Sequence, residues 1–245
     1  MTIDFHVHGK VTKKFPFIKE NFIKYIEKAE SEEIDCIALT EHCHAIGFEK
    51  AYRYLEDNYR YFNNHYTINK VKVLVGMEVE TSIGLDIILI GSKDEIFNLR
   101  NEINNRISID EFIEIEELFK IGNFENMIVI LAHPFRKHDQ FPELPSSIIN
   151  QIDAIECNAS DLFNNGIEIM KEKVDALALK LNLPVVGGSD SHYFYQLGSI
   201  KNVFEEETEC IQGIKNMIKE KKFKMEISRN LTTKVKFQKI IKEPF

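Results

Sequence analysis

The chain has 245 residues and a net charge of −8, with 44% hydrophobic and 29% charged residues. This composition supplies enough apolar side chains for a core and excludes an intrinsically disordered protein, and the length suits one α/β domain spanning residues 1–245. The acidic balance argues against an obligate nucleic-acid binder, which usually carries an excess of basic residues.

Apolar runs of strand length alternate with segments of helical spacing along the chain. A short strand opens the sequence, and further strands are predicted at 34–39, 71–79, 85–90, 127–132, 152–157 and 184–188. Helices are predicted at 17–30, 45–63, 94–105, 109–120, 168–181 and 208–222. Short strands that are apolar on both faces and separated by helices indicate a largely parallel sheet. About seven such units fit the length, so we expect a closed or distorted barrel, with an open doubly wound sheet as the alternative.

Compartment and membrane contact are also suggested by the sequence. The four cysteines, Cys36, Cys43, Cys157 and Cys210, form no C-x-x-C pair and no dense framework, which is typical of a reduced cytoplasmic protein. No apolar run approaches the about 20 residues of a membrane span, and the first residues lack the pattern of a secretory signal. We therefore expect no membrane partner.

Basic residues are concentrated near the C-terminus. Residues 214–245 contain ten Lys or Arg and three Glu, a charge of +7, so the rest of the chain carries −15. One interpretation is a solvated helix and edge strand, and the other is attraction of an anionic substrate.

Histidines and carboxylates recur where predicted strands end. In a βα barrel the C-terminal ends of the strands form one face, on which active sites are assembled. His6 and His8 are two residues apart, so on a strand both imidazoles project from the same side. The residues in such positions are His6, His8, Glu41, His42, Glu78, His133, Glu156, Asp190 and His192. Each has an ordinary structural explanation by itself, but their common placement predicts a single pocket.

The types of side chain in this set indicate the chemistry of the pocket. Imidazole and carboxylate are ligands of divalent cations, and glutamate can bridge two of them. A cluster of such cations attracts phosphate oxygens and lowers the pKa of a bound water towards ~7. The sequence therefore predicts a metal-dependent hydrolase.

Six short motifs follow one another in a recognisable order: H-V-H from residue 6, T-E-H from 40, G-M-E from 76, A-H-P from 132, E-C-N from 156 and G-S-D-S-H from 188. This series, over residues 4–198, resembles the PHP (polymerase and histidinol phosphatase) superfamily of metal-dependent phosphoesterases. The resemblance implies a distorted, TIM-like (β/α)7 barrel. It also implies two or three divalent cations, which are often zinc, manganese or iron in that family.

The resemblance assigns the candidate ligands to three groups. The first cation would be held by His6, His8, Glu78 and Asp190. Glu78 would bridge to the second cation, which would be completed by His133 and Glu156. The third position would belong to His42 and His192.

Two positions depart from the family pattern. Lys14 stands where a third-cation ligand is usual, so that cation is weakly held, or His44 replaces the ligand, or Lys13 or Lys14 supplies a positive charge there. Glu41 stands where Asp is common, and its extra methylene moves the carboxylate by ~1.5 Å, which alters its geometry for proton transfer.

The mechanism expected from the resemblance is attack on phosphorus by a hydroxide shared between two cations. His192, His42 or Glu41 would protonate the leaving oxygen, and Arg136 would bind the phosphate, although an ordinary surface arginine is the alternative. Lys14 and His44 are further candidates for substrate binding. The negative net charge favours small phosphate esters over long nucleic acids as substrates.

Three other functions remain open at this point. A two-metal deoxyribonuclease of the TatD type would also begin with H-x-H, but T-E-H after the second strand is not its pattern. An amidohydrolase would cleave C–N bonds and release no phosphate. A metal-stabilised binding module without catalysis is favoured by Lys14 alone.

Overall fold

The structure, a computed structural model, describes residues 1–9, 16–108, 111–208 and 210–242. Its strands are β1 Thr2–Val7, β2 Cys36–Leu39, β3 Tyr61–Phe62, β4 His65–Ile68, β5 Val71–Glu80, β6 Asp86–Gly91, β7 Ile128–Ala132, β8 Ala154–Asn158, β9 Val185–Gly188, β10 Ile200–Phe204 and β11 Phe223–Ile227. Its helices are α1 Lys19–Ser31, α2 Phe48–Asn58, α3 Lys93–Asn104, α4 Ile115–Ile121, α5 Ser146–Ile149, α6 Ala159–Asn165, α7 Ile167–Leu181, α8 Ile211–Lys219 and α9 Leu231–Lys242.

Seven strands form a barrel in the order β1-β2-β5-β6-β7-β8-β9. The two edges meet where Val7 bridges Ser191 in parallel, and the backbone N–H of His8 donates to the carbonyl oxygen of Ser191 at 2.8 Å. With helices interleaved between strands, this confirms the predicted distorted TIM-like barrel. Outside it, β10 pairs antiparallel with β1, and β11 pairs antiparallel with β10.

One barrel strand differs from the predicted parallel arrangement. β6 runs antiparallel to both β5 and β7. The connection from β5 to β6 covers only residues 81–85, which is too short for the crossover that parallel neighbours need. β6 therefore starts at the end of the barrel where the other six strands finish.

The predicted helix at 45–63 is also shorter than expected. It ends at Asn58, and β3 and β4 follow as a hairpin that pairs with β5. Asn63 and Asn64 form the turn with φ of +48° and +65°, the left-handed conformation that tight hairpins require and asparagine tolerates. The predicted helix at 109–120 begins later, at Ile115, while residues 109–110 lie outside the described part of the chain.

Alternation along the strands separates two apolar layers. One layer fills the barrel and includes Ile3, Phe5, Leu74, Ile88, Ile130 and Val186, together with Ile211, Ile214 and Ile218 of α8. The other layer, to which Val73, Val75 and Leu89 belong, lies between the strands and the surrounding helices. Side chains on the interior face beyond the first layer therefore point into the mouth of the barrel.

Two lysines of the basic C-terminal region make ion pairs with the rest of the protein, one buried and one partly buried. Lys215 of α8 donates to the carbonyl oxygen of Phe124 at 2.9 Å and pairs with Asp153 at 3.1 Å. Lys234 of α9 pairs with Glu32 at 2.6 Å. These lysines have structural partners. Within the described ranges, no helix has both the length and the apolarity needed to cross a membrane.

Candidate metal centre

The mouth of the barrel receives polar side chains from almost every strand. Glu78, Glu156 and Gly188 continue the interior faces of β5, β8 and β9 above the apolar layer, and Asp86 begins β6 on the same face. The register of β1 shifts between Asp4 and Val7, at a bulge. Bulges re-aim side chains near active sites.

Four donor atoms form a compact cluster at the centre of the mouth. His6 Nε2 lies 3.0 Å from His8 Nε2 and 3.6 Å from both Glu78 Oε2 and Asp190 Oδ1. His8 Nε2 lies 3.5 Å from the same glutamate oxygen and 3.2 Å from the aspartate oxygen. Four ligands at ~2.1 Å from one tetrahedral cation are about 3.4 Å apart. His6, His8 and Asp190 form one donor cluster, and Glu78 Oε2 lies within 3.6 Å of both histidines, so these four side chains, which we call the central quartet, are compatible with one divalent cation.

The two carboxylate oxygens of Glu78 contact different histidines. Its Oε2 lies 2.7 Å from His42 Nδ1, and its Oε1 lies 2.8 Å from His133 Nε2. Burial by itself would raise the pKa of Glu78, but the neighbouring charges of His42 and His6 and the hydrogen bonds from His133 and His42 hold it well below its usual range. The side chain is thus ionised and offers an oxygen to each of two donor groups.

Glu156 lies behind the histidines. Its Oε1 accepts from His6 Nδ1–H at 2.8 Å and from Asn158 Nδ2 at 3.1 Å, and its Oε2 accepts from the backbone N–H of His133 at 2.9 Å. In the neutral form of His6 with its proton on Nδ1, the lone pair of Nε2 points into the quartet. This is how a carboxylate typically orients a metal-binding imidazole.

Gly188 provides the space for this contact. A Cβ at this position would lie 2.0 Å from Glu156 Oε1 and 2.7 Å from the Cβ of His6. We expect Gly188→Ala to push Glu156 away from His6 and to weaken cation binding about 10- to 100-fold, the usual effect of disturbing a group behind a ligand. Isothermal titration with Zn²⁺ measures this, and Glu226→Gln, at an exposed position of β11, serves as the control. Unchanged affinity in Gly188→Ala would contradict the orienting role.

Arg136 is anchored beside the quartet. Its guanidinium contacts Asp190 Oδ2 at 2.8 Å, Asp161 Oδ1 at 3.0 Å and Asn158 Oδ1 at 2.8 Å. Burial would raise the pKa of Asp190, but Arg136 and then His6 hold it well below its usual range. The side chain of Arg136 is still 30% exposed. The arginine thus secures one oxygen of Asp190 and leaves the other facing the histidines.

His8, His42 and His192 form a second group of rings. The ring centroid of His8 lies 4.5 Å from that of His42 and 4.1 Å from that of His192. His8 Nδ1 is buried and has no hydrogen-bond partner among the described residues. Burial, followed by the charge of His42, lowers the pKa of His8 to about 3, so its imidazole is neutral and able to bind a cation.

Two residues of the centre have strained backbones. His133 has φ of +26° and Asp190 has φ of +52°, in the left-handed region that residues other than glycine rarely adopt. Such strain costs of order 1 to 3 kcal/mol and occurs preferentially at functional sites. It holds both side chains towards the mouth at the ends of β7 and β9.

The other candidates occupy different surroundings. Glu41 is buried, with Oε1 3.3 Å from where a Cβ on Gly9 would lie, and its carbonyl oxygen accepts from the backbone N–H of Glu78 at 3.0 Å. His44 lies in the turn after His42 and belongs to none of the four donor clusters found among the described residues. Lys13 and Lys14 lie outside those residues, so the structure does not place them.

The charge balance of the centre favours cations. The buried carboxylates around the mouth include Glu78, Asp86, Glu156, Asp161 and Asp190. Arg136 contacts two of them and Lys137 contacts one. Buried charges are stable only when they are paired or bind metals. The donor clusters of His, Asp and Glu are therefore compatible with divalent cations, and their residues fit such ions in type, spacing and charge.

Sequence reasoning missed three residues of this centre. Asp86 was overlooked because it begins a strand rather than ends one. Asn158 and Asp161 follow Glu156 closely, and the N-x-x-D spacing at the start of α6 was the available signal, since Asn158 caps this helix and both side chains hold Arg136.

Comparison with known proteins identifies chains that are similar in sequence or fold. Residues 169–223 match a family described as PHP-associated. No curated protein matched the sequence. The crystal structure of PsfC from Pseudomonas syringae PB-5123 is similar, with a TM-score of 0.79 and 20% identity over 98% of this chain and 97% of that chain.

A lesion-specific endonuclease has the same fold. PfuEndoQ from Pyrococcus furiosus aligns with a TM-score of 0.65 and 16% identity over 92% of this chain and 58% of its own. Endonuclease Q bound to a 27-mer duplex with an abasic lesion aligns with a TM-score of 0.61 and 15% identity over 89% of this chain and 56% of that chain. Together with the family match, these similarities confirm the predicted resemblance to the PHP superfamily.

Proposed function

We propose that this chain, which resembles the PHP superfamily, is a single-domain, divalent-metal-dependent phosphoesterase that hydrolyses small phosphate esters. The observation that carries the proposal is the central quartet, whose spacing suits one cation and whose Glu78 also contacts His133 and His42. Zinc, manganese and iron are the candidate metals, because imidazole and carboxylate together suit all three.

The chain supplies up to three groups of ligands. His6, His8, Glu78 and Asp190 would hold the first cation, and Glu78 with His133 begins the second group. His42 and His192 would contribute to a third, for which Lys14 replaces the usual ligand. When bound, such cations lower the pKa of water and neutralise charge on the phosphoryl oxygens.

The remaining polar groups orient the phosphate and transfer the proton. Arg136 directs Asp190 and retains N–H donors beyond its three contacts, with which it can hold a phosphate oxygen. Where the third position holds no cation, His192 and His42, at 13% and 12% side-chain exposure, would give a proton to the leaving oxygen. Glu41 is the third candidate for this proton transfer, and Lys14 and His44 are further candidates for binding the substrate.

A second candidate function is hydrolysis of nucleic acid. The fold shared with endonuclease Q favours it, because that enzyme's duplex substrate carries an abasic lesion. The net charge of −8 favours small esters instead. The four cysteines are free and three of them are buried, which supports action in a reducing compartment such as the cytoplasm.

The test is a substrate panel with protein loaded with Zn²⁺ or Mn²⁺. It contains 4-nitrophenyl phosphate, bis(4-nitrophenyl) phosphate, a single-stranded oligonucleotide, a duplex with an abasic site and an N-acyl amide. We expect hydrolysis of the small phosphate esters to exceed that of the oligonucleotides and the amide.

Three outcomes would contradict the proposal, each in favour of another function. Faster cleavage of either oligonucleotide would favour a nuclease, and cleavage of the amide alone would favour an amidohydrolase. Fewer than two cations per chain with no turnover would favour a binding module.

A further inference from the structure

Two carboxylates, Glu156 and Asp86, are candidates to complete the second cation site. Glu78 and His133 contact each other at 2.8 Å, and both Glu156 and Asp86 reach the same region. The family resemblance implies that Glu156 completes the group. The two carboxylates make different contacts, and these contacts indicate which of the two binds the cation.

Glu156 is already occupied by hydrogen-bond donors of the protein. His6 Nδ1 and Asn158 Nδ2 donate to Oε1, and the backbone N–H of His133 donates to Oε2. Both lone pairs of Oε1 are therefore used, and a cation at Oε1 would displace a buried donor, which costs the desolvation of the donor left behind. Oε2 keeps one lone pair, but among the described residues the carboxylates paired with His133 Nε2 are those of Glu78 and Asp86. The contact with His6 orients its imidazole, and the contact with the backbone N–H of His133 orients the segment that carries the His133 ring.

Asp86 differs from Glu156 in lying close to the ring of His133 and in having a partly exposed lysine as its partner. It is buried, and its Oδ2 lies 3.8 Å from His133 Nε2, a separation that two ligands of one cation can span. Asp86, Glu78 and His133 form one of the four donor clusters of the described residues. Its nearest cation is Lys137, whose Nζ lies 3.3 Å from both carboxylate oxygens. That lysine is 43% exposed and can withdraw into solvent.

We infer that Asp86, rather than Glu156, completes the second cation site together with Glu78 and His133. Glu156 is a positioning residue that orients His6 and the backbone of His133. Lys137 competes with the cation for Asp86. This inference rests on the proposed function insofar as it assumes that the centre binds at least two cations.

The experiment counts bound Zn²⁺ in purified protein by elemental analysis after gel filtration, and locates it by anomalous scattering from crystals. We expect Asp86→Asn to bind one ion fewer per chain than the unmutated protein. Glu156→Gln is expected to keep the full number, with affinity weakened about 10- to 100-fold as for a group behind a ligand. Lys137→Met is expected to bind the second ion about fivefold more tightly, because a partly exposed competing charge is removed.

Asp153→Asn is the matched control, since Asp153 is also buried but pairs with Lys215 away from the mouth. Circular dichroism spectra and thermal melts establish that each variant folds. An Asp86→Asn protein that keeps every ion, or a Glu156→Gln protein that loses one, overturns the inference even if the unmutated protein hydrolyses phosphate esters. An unmutated protein with fewer than two ions would instead refute the proposed function.

Discussion

Replacing Glu78 with glutamine is expected to lower kcat/KM for a phosphate ester by about 10³-fold or more, because cations supply several kcal/mol of transition-state stabilisation in such enzymes. Glu78 contacts His42 and His133 and lies in the central quartet, so the amide would disturb more than one cation site at once. Steady-state kinetics and the zinc content of the same preparation measure the two effects together.

His133→Ala separates these effects. It removes a side chain that contacts Glu78 but leaves the central quartet complete, so we expect it to abolish hydrolysis while the protein stays folded and keeps the quartet's cation. Glu226→Gln, on the edge strand β11, is the control and should retain full activity. Phosphatase activity in purified His133→Ala would refute the assignment of this histidine.

Removing the cations is expected to destabilise the whole barrel. A ligand present at 100 times its Kd stabilises the folded state by about 2.7 kcal/mol, so two sites contribute about 5 kcal/mol. For a chain of this size, we expect a chelator to lower Tm by roughly 10 °C or more, because 1 kcal/mol corresponds to about 2 to 4 °C.

Differential scanning calorimetry with and without chelator measures this shift, and added Zn²⁺ should reverse it. The Glu78→Gln variant is the control, since a protein with weakened sites should respond less to the chelator. An equal Tm in both conditions would show that the carboxylates of the mouth are stable without cations.

Much of the centre could be predicted from the sequence because parallel strands all end at one mouth. A histidine or carboxylate at the end of an apolar run, such as His133 or Glu156, therefore lies at the mouth because of the direction of its strand. The rule fails at β6, where the direction is reversed. There the residue at the mouth is Asp86, at the start of the strand, while Gly91 ends it at the opposite side.

Sequence spacing also could not distinguish a ligand from the group that orients it. Glu156 ends an apolar run just as Glu78 does, but it accepts three hydrogen bonds, from His6, Asn158 and the backbone of His133, and so orients these groups. For Arg136, the partners come from residues 158, 161 and 190, which the fold brings together from separate segments. Such contacts depend on rotamers and distances that a linear pattern does not contain.

The meeting of the barrel's first and last strands lies directly beside the quartet. Backbone bonds join His8 to Ser191 at 2.8 Å and Ser191 to His6 at 3.4 Å, while Asp4 Oδ1 accepts from the backbone N–H of Ser189 at 3.0 Å. His8 and Asp190, from the two sides of this junction, face each other at 3.2 Å. A cation bound by both residues would link the first and last strands of the barrel. Hydrogen exchange of the backbone amides at this junction should therefore slow on metal loading more than exchange between β2 and β5.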